Sequence, residues 1–125
     1  MKYCGRMLIK LQLSYAVCVS ARAFEREMKR LGIKRPPDFL CSPHANATTH
    51  FFESRGEEIA IVCVGDPKGH SSIEIAGLLV HEAVHIWQTD CDRRGERTPS
   101  AEYEAYAIQW ISQQLLAAYA KLVRF

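Results

Sequence analysis

The sequence predicts a single α+β domain over residues 1–125, and three observations support this class. Apolar residues recur at helical spacing before residue 32 and again through the C-terminal half. Two runs typical of β-strands lie between these helical segments. The composition, 48% hydrophobic and 24% charged, is that of an ordinary globular domain long enough to bury its own core. We therefore expect an N-terminal helix, a small strand pair or sheet, and two further helices.

The N-terminal part is expected to hold an extended segment followed by the first helix. Residues 7–13 alternate in polarity, which suits a short strand, although the same residues could begin a helix. From Ser14 onward the apolar residues follow one helical stripe, and Gly32 then supplies a left-handed stop. That stripe consists of Val17, Ala21, Phe24, Met28 and Leu31.

Two strands are expected next, at residues 49–53 and 57–64, joined by a turn at residues 54–56. Residues 59–64 are apolar on both faces of the predicted strand. A strand of that kind is buried on both sides, so the second strand should lie inside the protein rather than at its rim.

The two later helices have clear start signals. Ser71 and Glu74 have the spacing of a capping box, so a helix should begin at Ser71 or Ser72 and run to about Gln88. A charged loop over residues 90–97 should follow. Thr98 and Pro99 then predict the start of a long C-terminal helix, with proline at its first position.

Several classes of function are disfavoured by composition. The net charge of +2 is too balanced to indicate nucleic-acid binding, and no stretch approaches the roughly 20 apolar residues that cross a membrane. Five scattered cysteines without a Cys-x-x-Cys pair indicate neither a disulfide scaffold nor a zinc site built from thiolates. Together with the lack of a convincing signal peptide, this cysteine usage favours a cytoplasmic protein. The oligomeric state is left open.

The second helix carries the pattern HExxH at residues 81–85. Residues four apart lie one above the other on a helix, so His81 and His85 can share one Zn²⁺. Glu82 then stands beside the metal, where it can take a proton from a bound water and pass it to a leaving group. The flanking residues are apolar, and buried histidines without a partner would be costly to fold. These features favour a metal site over a chance match.

The motif and its flanks resemble the zincin metallopeptidases. The metzincin branch requires a glycine and a third histidine where this chain has Gln88 and Cys91, so that branch is rejected. The gluzincin branch takes its third ligand from a glutamate on a later helix. Glu102-x-x-Ala105 resembles that signature, with Tyr106 in place of the usual Asp or Asn. The motifs, within residues 71–116, are also similar to those of small metallopeptidases encoded by phages and prophages.

The third zinc ligand has more than one candidate. The resemblance ranks Glu102 first, whereas a helical wheel places Glu104 closer to the apolar face of the last helix. Asp90, Cys91 and Asp92, directly after the zinc helix, are a weaker alternative because they should point away from the metal.

The resemblance implies a minimal zincin-like domain that hydrolyses peptide bonds with Zn²⁺ and with Glu82 as the catalytic residue. A peptide or protein substrate would pair with an edge strand near the zinc helix, at residues 59–64 or 49–53. An oxyanion-stabilising side chain would also be needed. Its candidates are His50, His70, Tyr103 and Tyr106.

Two alternatives belong to other classes. One is a zincin-fold binding or regulatory module that retains the metal but is weakly active or inactive. The other is a purely structural helical protein in which HExxH is incidental.

Overall fold

The computed structural model describes residues 1–4 and 11–125, and it confirms the α+β class. Three helices and three strands occur in the order β1, α1, β2, β3, α2, α3. Their bounds are β1 Leu13–Cys18, α1 Ala21–Leu31, β2 Ala47–Ser54, β3 Glu57–Val64, α2 Ser72–Arg93 and α3 Ala101–Leu122.

The three strands form one sheet in the order β1–β3–β2. Strand β3 lies at the centre, parallel to β1 and antiparallel to β2. Its position inside the sheet confirms the prediction from its apolar faces, and the predicted hairpin turn is confirmed at Arg55 and Gly56, both at positive φ. Because β3 is paired on both sides, the expectation that residues 59–64 pair with a substrate is wrong. Within the described residues, the outer edge of β2 has no strand partner.

The helices cover the two faces of the sheet. On one face, Phe24 and Met28 of α1 pack against Ile59, Ile61 and Cys63 of β3. On the other face, α2 and α3 pack against the alternate residues of β3 and against β1. The buried apolar residues of the helices thus face the sheet or one another. None of the helices in the described part of the chain has the length and apolarity to cross a bilayer.

The N-terminal prediction is partly wrong. Residues 14–18 belong to β1 rather than to the first helix, which begins after Ser20, whose Oγ accepts a hydrogen bond from the Ala23 N–H. Residues 13 and 15–18 are buried on both faces, so the alternation that would identify a strand is absent from the sequence. The expected strand residues 7–10 lie outside the described residues.

The end of α1 is as predicted. Gly32 has φ 75°, and its N–H donates to the Lys29 carbonyl. The Ile33 N–H donates to the Met28 carbonyl at 3.0 Å, which completes a Schellman-type cap. The helix thus ends in a left-handed backbone conformation, which glycine adopts without strain.

The start of α2 is also as predicted, but two other helix boundaries are not. Ser71 and Glu74 form the expected capping box. Helix α2 continues to Arg93 rather than ending near Gln88, because Asp90 and Cys91 are buried against the rest of the protein. Helix α3 is capped by Ser100 instead of Thr98, with the Ser100 Oγ accepting from the Tyr103 N–H at 3.2 Å.

Two glycine substitutions should have opposite effects on stability. Gly32→Ala places a Cβ at positive φ and should lower the free energy of unfolding by about 1 kcal/mol. Gly77→Ala, within α2 and with open space around the added Cβ, should raise it by up to about 1 kcal/mol. Urea denaturation monitored by circular dichroism measures both, and equal effects in the same direction would contradict the assigned backbone conformations.

Candidate metal site at the edge of the sheet

The orientation of α2 on the sheet places the HExxH residues. Leu79, Ala83 and Ile86 are fully buried against the sheet and α3. Because successive residues turn by about 100° on a helix, His81 and His85 then fall on a flank of α2, where both are exposed. The expectation that the two histidines are buried is therefore wrong. That flank faces β2, since Thr49 and Phe51 of β2 line a cavity together with both histidines.

The two imidazoles lie next to each other. Their Nε2 atoms are 3.1 Å apart, and the ring centroids are 4.8 Å apart in an edge-on arrangement. Ring nitrogens that each bind a tetrahedral zinc at about 2.0–2.1 Å stand about 3.3 Å from one another. The helical spacing has therefore produced nearly the separation that one shared zinc ion requires.

Glu82 lies in the buried row of α2 and is only 4% exposed. Its Oε1 accepts a hydrogen bond from the Thr49 hydroxyl at 2.8 Å, and its Oε2 is 3.8 Å from the His81 Nε2. A buried carboxylate needs such a partner, because leaving it without a hydrogen bond is costly. Thr49 of β2 thus fixes the side chain that the motif assigns as the general base.

The donor set tests whether a metal fits here. Within the described residues, one group of three or more His, Cys, Asp or Glu side chains could hold an ion together, and it consists of His81, Glu82 and His85. The ligand atoms of this group all lie within 4.8 Å of one another. Two imidazoles beside a carboxylate are ligands typical of zinc, so these residues fit the ion as a partial site.

The structure does not bring the predicted third ligand to this group. Glu102 is exposed in the first turn of α3. Glu104 is half-buried, nearer the packed face as the helical wheel indicated, but its Oε2 accepts a hydrogen bond from the Trp87 Nε1 at 2.8 Å. Trp87 follows His85 by two residues and so lies on a different side of α2. Helix α3 therefore contacts the flank of α2 away from the imidazoles, and a glutamate ligand from α3 stays a prediction.

The weaker alternatives after the motif are engaged elsewhere. Asp90 is fully buried and accepts the Gln12 N–H at 2.6 Å. Burial raises the pKa of the Asp90 carboxyl, partly offset by that hydrogen bond and by Arg94. Cys91 lies beside Arg94, with its Sγ 3.6 Å from a guanidinium nitrogen, and Asp92 is exposed. Asp90 and Cys91 thus have other partners.

The four candidates for the oxyanion role are scattered. His50 points to the α1 side of the sheet, where its Nε2 lies 2.9 Å from the Phe39 carbonyl oxygen. The Tyr103 ring lies against Trp87 at a tilt of 44°, and Tyr106 is 63% exposed. His70 lies 3.6 Å from a Glu74 oxygen and lines a cavity together with His81 and Glu82. Of these four, His70 is the one that shares a cavity with the HExxH residues.

A cleft between α2 and β2 gives access to the site. It consists of two cavities of about 430 and 320 Å³, both of which include His81 and Glu82. The first, here the His70 cavity, is lined also by His70 and Glu74. The second, here the Cys41 cavity, is lined by Cys41, Ala47, Thr48, Thr49, Phe51, His81, Glu82, His85 and Thr89. A larger cavity of about 680 Å³ lies between α1 and α3 and contains none of the predicted site residues.

Thr49 and Cys41 were not predicted as site residues. Thr49 was assigned only to a strand, and a threonine on one face of an edge strand is common enough to carry no signal. Cys41 lies in the loop before β2, where no periodicity indicates a neighbour. Thr49 reaches α2 through its hydrogen bond to Glu82, and Cys41 lines a cavity together with residues of α2.

Comparisons with known proteins do not identify a family for this chain. No protein-family model, curated protein or solved structure matches the chain. The case for a metal therefore depends on the imidazole pair and the carboxylate beside it.

Removing the Thr49 hydroxyl should destabilise the protein. Thr49→Val keeps the side-chain shape and the strand preference but leaves the buried Glu82 oxygen without its donor, which should cost about 1–3 kcal/mol. Thr49→Ser, which keeps the hydroxyl, is the control and should lose less. Urea denaturation without added metal measures both, and a valine variant as stable as the wild type would show that this hydrogen bond does not hold Glu82.

Proposed function

We propose that the protein binds Zn²⁺ through His81 and His85 and hydrolyses peptide bonds, with Glu82 as the general base. The observation that carries this proposal is the 3.1 Å separation of the two Nε2 atoms beside a buried carboxylate held by Thr49. This arrangement supports a functional motif. If HExxH were a chance match, nothing would require Thr49 to hold Glu82 in a fixed position beside the imidazoles. The resemblance to zincins points to the same chemistry.

Each residue of the site would have a distinct role in such a reaction. His81 and His85 would hold the metal, and bound zinc would supply Lewis-acid activation of water and of the scissile carbonyl. The Glu82 carboxylate would accept the proton of the attacking water and then donate it to the nitrogen of the leaving amine. Thr49 keeps one oxygen of that carboxylate engaged and so fixes its direction.

A peptide is the substrate class that the surroundings favour. Strand β2 borders the cleft, and its outer edge offers unpaired backbone groups within the described part of the chain. An extended peptide can pair with such an edge as an added strand, with its backbone running past His81 and His85. This is the second of the two predicted substrate segments, residues 49–53.

A second candidate is a binding or regulatory module that retains zinc without turnover. The exposure of both imidazoles favours it, since among the described residues α3 brings no third ligand to them. A phage or prophage origin and a cytoplasmic location, both suggested by the sequence, fit either function and are proposed with it.

Zinc should stabilise the wild-type protein. At a free zinc concentration about 100-fold above its dissociation constant, the free energy of unfolding should rise by about 2.7 kcal/mol. His81→Ala removes one of the paired nitrogens and should abolish most of this gain. His44→Ala, at an exposed histidine of the loop before β2, is the control and should behave as the wild type. Thermal denaturation with and without zinc measures the gain; a similar response from all three proteins would place the zinc elsewhere.

Glu82→Gln separates the enzyme from the binding module. Glutamine keeps an oxygen that can accept the Thr49 hydrogen bond but cannot take up a proton, so kcat should fall by about 10²–10⁴-fold while zinc affinity changes little. Cleavage of a peptide library, read by mass spectrometry, provides the assay. Unchanged turnover would reject Glu82 as the base. Stoichiometric zinc in the wild type with no zinc-dependent cleavage would favour the binding module.

A further inference from the structure

The Cys41 cavity contains one more residue with a metal-binding atom. It is the cavity that touches both imidazoles and Glu82, and among the residues that line it Cys41 is the sole other His, Cys, Asp or Glu. The other residues of this cavity are alanine, threonine and phenylalanine. A third ligand supplied from within the Cys41 cavity would therefore have to be the Cys41 thiol. His70 and Glu74 line the other cavity, which includes His81 and Glu82 but not His85.

Zinc needs a third protein ligand, and among the described residues neither glutamate of the first turn of α3 supplies it. Structural zinc sites have four protein ligands and catalytic sites usually three. Glu104 is bound to Trp87 on another side of α2, and Glu102 is exposed. Glu82 carries the Thr49 hydrogen bond and is buried beneath the imidazoles rather than among exposed ligands. The loop that carries Cys41 lines the cavity that contains both histidines.

The backbone of Cys41 is tied to the site. Its N–H donates to the Thr48 Oγ1 at 2.9 Å, and Thr48 directly precedes the threonine that holds Glu82. Cys41 is exposed and carries a free thiol. The loop is thus fixed at the end of the cleft where the histidines lie, while its cysteine side chain has no other assigned partner.

We propose that Cys41 is the third zinc ligand, so that the metal is held by His81, His85 and a thiolate. This inference rests on the proposed zinc binding at the histidine pair. On binding, the Cys41 thiol releases its proton to solvent, a sulfur–zinc bond forms, and no electron is transferred. Thiolate and imidazole are both preferred zinc ligands, and two-histidine, one-cysteine coordination leaves a fourth position for water. Metal binding would also tie the loop before β2 onto α2.

Cobalt substitution of the full chain tests the assignment. Co²⁺ adopts the same ligands, and a bound thiolate produces a sulfur-to-cobalt charge-transfer band in the near ultraviolet. The wild type should show this band, and Cys41→Ser should lose it. Loss of a residue that only orients a metal ligand typically costs about 10–100-fold in affinity, so Cys41→Ser should weaken zinc binding by at least about tenfold in a competition titration.

Two controls make the outcomes distinct. Cys4→Ser removes a half-buried thiol at the opposite edge of the sheet, and it should keep both the band and the affinity. Equal unfolding midpoints of the metal-free proteins would show that Cys41→Ser is folded, as expected for an exposed residue.

Three other outcomes of the cobalt experiment would each contradict the assignment of Cys41, and each would have a different meaning. Stoichiometric cobalt without a thiolate band would remove Cys41 and leave zinc binding by His81 and His85 in place. A band that persists in Cys41→Ser would assign the thiolate to another cysteine. Failure of the wild type to bind either cobalt or zinc would remove the Cys41 assignment and the proposed function together.

Discussion

The rotation of α2 about its own axis is the constraint on which the candidate site depends. Leu79 and Ile86 are fully buried, and burying each such side chain is worth about 1.5–3 kcal/mol. Turning α2 by one residue, about 100°, would expose them both and cost several kcal/mol. The core therefore fixes the helix with Glu82 in the buried row and the two histidines on the flank along β2. The chemistry available to HExxH is set by hydrophobic packing rather than by the motif alone.

The same rotation determines what α3 contributes. The buried Trp87 needs an acceptor for its indole N–H, and Glu104 supplies it, while Tyr103 packs against the indole ring. The first turn of α3 is therefore anchored to the side of α2 that carries Trp87. Glu104, the alternative zinc ligand that the helical wheel indicated, has in this chain a structural explanation, because it accepts the hydrogen bond of a buried donor and aligns two helices.

The sequence could predict those structural features that depend on residues close to one another along the chain. The Gly32 stop, the Ser71 capping box and the proximity of His81 to His85 each depend on residues within about one helical turn, and each is present. The helix predicted over residues 14–18 was wrong because a strand buried on both faces lacks alternation. The third ligand could not be decided because it depends on which side of α2 the next helix packs against. The contact of Thr49 with Glu82 and the proposed role of Cys41 both involve residues of α2 more than 30 positions away along the chain, which no local pattern encodes.

The exposed side of the imidazole pair is the feature that both proposed functions must account for. An unpaired sheet edge is a liability unless another chain or segment covers it. A peptide added along β2 would satisfy the free backbone groups of that edge and would also exclude water from the histidines and Glu82. Electrostatic interactions strengthen as water is removed, so the peptide would supply part of the low-dielectric environment that so small a domain lacks. On this argument the enzyme and the binding module would take the same kind of ligand at the same place. What separates them is whether Glu82, buried and held by Thr49, can exchange a proton with a water at the metal while that ligand is in place.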